Sequence, residues 1–217
     1  MIKPVATQRV IALDGPAASG KSSVARLVAE RLGVPYVSSG LLYRAATYLA
    51  QRRGVGLDDE AALVQLLTAM QVRLEVQIGL PNRVRVGDDV LENAALHTDT
   101  VDAGVSVVAR HPRVRAWVDA RLRELEGVFV VEGRDMGTVV FPGAVHKFYL
   151  SAPAEVRAAR RVGERAADLA EVTEALKRRD ALDRAQLRPA RDARHLDTRE
   201  LTLAEVVAEV LSAIGPL

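Results

Sequence analysis

Residues 15–22 read Gly15-Pro16-Ala17-Ala18-Ser19-Gly20-Lys21-Ser22, the pattern G-x-x-x-x-G-K-S. No other feature restricts the fold so strongly. The pattern works only where a buried strand delivers the chain into a tight turn and an amphipathic helix leaves it, so that backbone N–H groups and the helix N-terminus wrap a phosphate. Both flanks comply. Residues 8–13 (QRVIAL) are short, apolar and β-branched, and Asp14-Gly15-Pro16 ends them, which predicts a buried strand. Residues 22–32 place Val24, Ala25, Leu27, Val28 and Leu32 at helical spacing, with Arg26, Glu30 and Arg31 opposite and Gly33 as the cap. Gly15 and Gly20 let the backbone fold around the phosphate, Lys21 reaches the β- and γ-phosphates, and the Ser22 hydroxyl is offered to Mg²⁺. Pro16, Ala17, Ala18, Ser19 and Ser23 complete the nucleotide-phosphate-binding loop and its exit. The bland alternative, a glycine-rich strand-to-helix turn, needs no lysine at this place.

The rest of the chain continues the alternation. Residues 35–37, 128–131 (VFVV), 147–150 (KFYL) and 195–197 predict short strands. Helical periodicity covers 41–51, 58–70, 98–110, 112–125, 153–165, 168–183 and 203–214, with Pro112 at a favoured first helical position. Buried strands alternating with helices predict an α/β fold, a P-loop NTPase-type parallel sheet with helices on both faces. One stretch differs. Residues 71–77 (QVRLEVQ) and 83–86 (RVRV) alternate polar and apolar around Gly79, Pro81 and Asn82, which predicts a small hairpin with one face in water. It reads as an insertion, about 55–100, on a single domain spanning 1–217.

Composition narrows the function classes. At 49% hydrophobic and 27% charged, the chain is not an extended disordered one. No uncharged run approaches the ~18 residues of a membrane span. The first residues carry no apolar segment before a cleavage site, so no secretory signal is read, and the expected location is cytoplasmic. The absence of cysteine excludes a disulfide scaffold, a thiolate metal site and a cysteine nucleophile. A formal charge of +2 does not suggest a nucleic-acid partner. Only four basic residues are lysines, Lys3, Lys21, Lys147 and Lys177. The arginine excess reads mostly as compositional bias, so only arginines placed by a motif are given roles. A GTPase-type switch would carry a base-reading N/T-K-x-D element, but Lys147 is followed by Phe-Tyr and Lys177 by Arg-Arg.

Three further strings carry a family resemblance: Ser38-Ser39-Gly40-Leu41-Leu42-Tyr43-Arg44, Gly133-Arg134-Asp135-Met136-Gly137-Thr138-Val139-Val140-Phe141-Pro142, and Arg178-Arg179-Asp180-Ala181-Leu182-Asp183-Arg184. With the phosphate loop, and in this order over nearly the whole chain, they resemble bacterial cytidylate (CMP) kinases. The resemblance implies phosphoryl transfer from MgATP to CMP or dCMP. It implies that Ser39, Arg44 and Arg134 surround the acceptor nucleotide, that Ser106, Arg115 and Asp135 lie around cytosine and ribose, and that Arg179 and Asp183 lie near the sugar and the transferred group. Lys21, Arg134, Arg179 and Asp183 are then the catalytic set. Arg157, Arg160 and Arg161 fall in a lid over ATP, about 155–168. Mg²⁺ is expected on Ser22, with Asp14 reaching it through water. Two positions depart from the family: Gln186 stands where an arginine is frequent, and Glu132 where an aspartate is common.

Alternatives stay open at this level. Another small-molecule P-loop kinase, of nucleotide or shikimate type, shares the loop, and so would a nucleotide-dependent switch. Ser106 fits a helix interior as well as a site, Tyr43 fits core or cleft, and Arg157, Arg160 and Arg161 fit one solvated helix face. His97, His111, His146 and His195 have no metal spacing and read as structural or surface, and Trp117 as helix packing. The expected partners are ATP and CMP or dCMP, with no nucleic acid and no membrane, acting on a monomer.

Overall fold

The computed structural model describes residues 9–164 and 168–215, without the Glu164 side chain. Gln8 of the expected first strand, the N-terminal stretch read for a signal, and lid positions 165–167 lie outside the described residues. In chain order the elements are β1 (Arg9–Asp14), α1 (Lys21–Leu32), β2 (Tyr36–Ser38), α2 (Ser39–Arg53), α3 (Glu60–Ala69), β3 (Val72–Glu75), β4 (Arg83–Val86), β5 (Asp89–Leu91), α4 (Asp99–Val108), α5 (Pro112–Arg123), β6 (Val128–Gly133), β7 (His146–Ser151), α6 (Ala154–Glu164), α7 (Leu169–Leu182), β8 (Arg194–Asp197) and α8 (Leu203–Ile214). A 3-10 turn spans Asn93–His97 and a π turn spans Met136–Val140.

The main sheet has the order β2-β6-β1-β7-β8, and every pairing in it is parallel. The central strands β1 and β6 are apolar on both faces because both faces are covered, whereas edge strand β8 buries only Leu196. Val10 and Ala12 of β1 join Val37, Phe129 and Val131 in the core beneath α2, α3 and α5. The alternate residues Ile11 and Leu13 join Val130, Phe148 and Leu150 beneath α1 and α8. Each large side chain buried there contributes roughly 1.5–3 kcal/mol of transfer free energy. Register brings the carboxyl ends of three strands level: Ser38 and Leu13 both lie beside Glu132, and Asp14 lies beside Gly133. The functional loops leave from this edge.

The second sheet is antiparallel, in the order β3-β4-β5. The expected hairpin is thus extended by a third strand. Gly87, at φ 57°, turns the chain so that Asp89–Leu91 adds to β4. Val72 and Val84 bury one face while Arg73 and Arg83 stay in water, as the alternation requires. Asn82, in the β3–β4 loop, docks this sheet onto the open edge of the main one. Its Oδ1 accepts from the Ser38 amide at 2.7 Å, and its Nδ2 donates to the Tyr36 carbonyl at 2.7 Å. The buried carboxamide thereby stands in for one residue of an added strand.

Candidate active site

The phosphate loop is shaped by two glycines. Gly20 precedes α1 in the left-handed region at φ 87° and turns the helix N-terminus toward the loop's interior. Gly15, at φ 153°, passes so close to β7 that a Cβ would lie 2.2 Å from the Leu150 carbonyl oxygen. Lys21 starts the helix and is 6% exposed. Its Nζ donates to the Pro16 carbonyl at 3.3 Å and lies 3.7 Å from Glu132. Burial, then repulsion from Arg134, lowers its pKa to about 7, with Glu132 opposing the shift.

Above the loop opens a cavity of about 770 Å³. One wall is residues 17–23 of the loop, and the facing wall comes from α2, α4 and the Gly133–Met136 stretch after β6. Ser39, Tyr43, Arg44, Ser106, Arg115, Arg134, Asp135, Arg161, Arg179 and Asp183 all line it, although the sequence scatters them over six elements and loops. Of the expected ATP-binding residues, Gly15, Pro16 and Arg157 do not line it. Ser106 and Tyr43, each open between core and cleft, are buried and also face the cavity.

The wall facing the loop is built from ion pairs. Arg115 Nη2 meets Asp135 Oδ2 at 2.5 Å, and the guanidinium stands 5.6 Å from the centre of the Tyr43 ring. Arg134 donates from Nε to Asp183 at 3.1 Å and from Nη1 to the Gly15 carbonyl at 3.2 Å. Arg179 lies 3.8 Å from Asp183, and burial, then Arg134, lowers its pKa to about 10. Arg44 meets Asp102 at 2.5 Å. Among the described residues, six buried side-chain atoms lack a hydrogen-bond partner. Four of them, on Ser19, Tyr43, Asp135 and Arg179, belong to residues lining this cavity. Buried polar atoms rarely go unpaired, and here they gather in residues lining one cavity.

The two carboxylates considered for a metal differ. Asp14 accepts from the Met136 and Gly137 amides, both at 2.8 Å, and does not line the cavity. Burial raises its pKa to about 6 despite those two bonds. These bonds shape the Asp135–Val140 turn and set the Asp14 carboxylate behind the cavity wall, apart from the surface on which Ser22 stands. Glu132 does line the cavity, accepts from Ser38 Oγ at 2.7 Å and sits near Lys21. The Ser22 hydroxyl and the Glu132 carboxylate are hard oxygen donors on the same cavity, so they fit a magnesium ion held largely by nucleotide phosphates.

Arg157 departs from its expected place over ATP. It is 4% exposed and lies behind the loop, donating to the Ala17 and Ala152 carbonyls at 2.9 Å and pairing with Asp180 at 2.6 Å. A guanidinium facing inward on α6 finds carbonyls before it finds solvent. Arg160 and Arg161 face the cavity instead, and Arg160 holds the hydroxyl and carbonyl of buried Thr198. His97, read as structural or surface, lines the cavity with its ring on the Asn93 carbonyl. Sequence reasoning gave no role to Asp102, Thr198 or the apolar wall of Leu201, Leu203 and Val206. Only the spacing of the last three along α8 and its entry hinted at a shared face.

Comparison with known proteins places the chain in a family. The cytidylate kinase family model matches residues 11–215. A cytidylate kinase of Thermus thermophilus is 56% identical over 205 residues, covering 94% of this chain and 98% of that protein. One of Deinococcus radiodurans is 52% identical, covering 95% of this chain and 99% of its own length. A shikimate kinase from Bacteroides thetaiotaomicron shares the fold at a TM-score of 0.50 and 13% identity, over 95% of this chain and 98% of that one. The likeness to the shikimate enzyme stops at architecture, whereas the family model across residues 11–215 and relatives more than half identical over nearly the whole chain make this chain a member of the cytidylate kinase family.

Proposed function

We propose that this cavity transfers the γ-phosphoryl group of MgATP to CMP or dCMP, giving ADP and CDP or dCDP. The observation that carries this reading is the Arg115–Asp135 pair, with a half-buried guanidinium on a buried carboxylate, in a wall that faces the phosphate loop. A carboxylate whose second oxygen is buried and unpartnered accepts from an exocyclic amino group and repels a carbonyl. That separates cytosine from uracil. Shikimate offers no amino group to such an oxygen.

The chemistry asks little of any one side chain. An ionised oxygen of the acceptor phosphate attacks the γ-phosphorus while the bond to the ADP oxygen breaks, so no general base is required. The protein supplies position and positive charge. Lys21 and the loop amides hold the donor phosphates. Arg44, Arg134 and Arg179 face the space where acceptor and transferred phosphates must meet, and Asp183 holds the last two in place. Ser22 and Glu132 are the residues that would hold Mg²⁺, whose charge would offset that of the transferring phosphates.

Coupled ADP release with CMP, dCMP, UMP, AMP and shikimate offered in parallel tests the reading. CMP or dCMP should be turned over best. Asp135→Asn keeps the shape and removes the charge, and its kcat/KM ratio for CMP over UMP should fall by at least ~10-fold, or ~1.4 kcal/mol. An unchanged ratio with lower overall activity would assign Asp135 to the phosphate or the metal.

A further inference from the structure

Asp102 lies in the first turn of α4, on the acceptor side of the cavity. Its two oxygens have different partners. Oδ1 meets Arg44 of α2 at 2.5 Å, and Oδ2 meets Arg161 of α6 at 3.2 Å. Arg44 belongs to the acceptor wall and Arg161 to the helix that opens the lid, so one carboxylate spans both sides of the cleft. The side chain is 13% exposed, and Arg44 and Arg161 hold its carboxyl below the usual range against the opposing pull of burial. Without that charge the two guanidinium groups would face each other across the cavity and repel.

We infer that Asp102 is a positioning residue that ties the acceptor wall to the lid, so that binding of one nucleotide favours binding of the other. The inference rests on the acceptor reading given above. A nucleotide phosphate that settles Arg44 also settles the carboxylate bonded to it. Arg161 is then drawn to the closed position before ATP arrives. The ordering cost is met once rather than twice, which appears as positive coupling between the two sites.

The test is the dissociation constant of an unreactive ATP analogue with Mg²⁺, measured with and without saturating CMP. In the wild type the analogue should bind at least ~5-fold tighter with CMP present. In Asp102→Asn the ratio should fall toward one, and Asp102→Glu should restore part of it. Arg161→Gln breaks the same link from the lid side. It should lose the same ratio whatever it does to ATP affinity alone, and the double variant should lose no more. Arg161→Gln also decides the matter if circular dichroism shows Asp102→Asn unfolded. A full ratio in either variant, or a ratio of one in the wild type, overturns the link. Tighter CMP binding by Asp102→Asn with an undiminished ratio overturns it too, because the carboxylate would then merely compete with phosphate for Arg44. A wild type that binds the ATP analogue but not CMP defeats the acceptor reading itself.

Discussion

At Lys21, burial and function pull in opposite directions. Burial, then the charge of Arg134, holds its pKa near 7, against an ordinary 10.5. The folded value lies below the unfolded one, so between about pH 7 and 10.5 the unfolded chain binds more protons, and this group makes the empty protein more stable as pH rises. Donor phosphates reverse the balance by placing negative charge on the ammonium. Nucleotide binding at pH 8.5 should therefore take up close to one proton, read by calorimetry in buffers of different ionisation enthalpy. Lys21→Met should abolish the uptake, and a wild type without uptake would show that Lys21 does not meet the phosphates. Lys21 was legible because G-x-x-x-x-G-K-S fixes position and chemistry together. Arg134 and Asp135 were legible as part of a ten-residue string. Arg157 and Arg160 were not separable in the sequence, because three residues along α6 decide which guanidinium turns inward to Ala17 and which faces the cavity. Asp102 was invisible for a related reason: acidic residues in a first helical turn are ordinary, and only tertiary packing brings Arg161 to it.

The main strands and helices followed from periodicity and apolar runs, since β1 and β6 at the centre of the sheet are buried on both faces. The small sheet was legible only as a hairpin. Asp89–Leu91 is too short and too exposed to signal a strand, and the Gly87-Asp88 turn that adds it carries no apolar run beyond. What seats this sheet is Asn82, whose amide stands in for strand pairing on β2. Asn82→Ala would leave the Tyr36 carbonyl and the Ser38 amide unpaired, at a cost of ~1–3 kcal/mol. For a chain of this size that corresponds to a lower Tm by about 2–4 °C per kcal/mol. Because Ser38 bonds Glu132 and precedes Ser39, KM for CMP should rise as well. Wild-type melting together with an unchanged KM would show that the sheet is seated by its apolar face alone.

At the scale of the whole molecule, the cavity poses a problem of water. With about 770 Å³ open above a loop that activates the γ-phosphate, water competes with the acceptor for the phosphoryl group. A kinase of this design must close before it reacts. The elements able to move carry the residues that reach across the opening. The β3–β5 sheet borders the cleft through Asn82, bonded to β2, α4 brings Ser106 and Asp102 to the cavity, and α6 brings Arg160 and Arg161, half-buried at the cavity mouth. The sheet beneath is pinned by two cores and has no reason to shift. Closure should therefore appear as slower amide hydrogen exchange in residues 60–95 and 154–164, with the strands of the main sheet unchanged. Protection should be largest when CMP and an unreactive ATP analogue are both bound, and smaller with either alone, because each nucleotide supplies anions to only one wall. Equal exchange in all four states would mean that the cleft is already closed when empty. Exclusion of water would then fall to the fixed geometry of the cavity, and the predicted sensitivity to Asp102 would go with it.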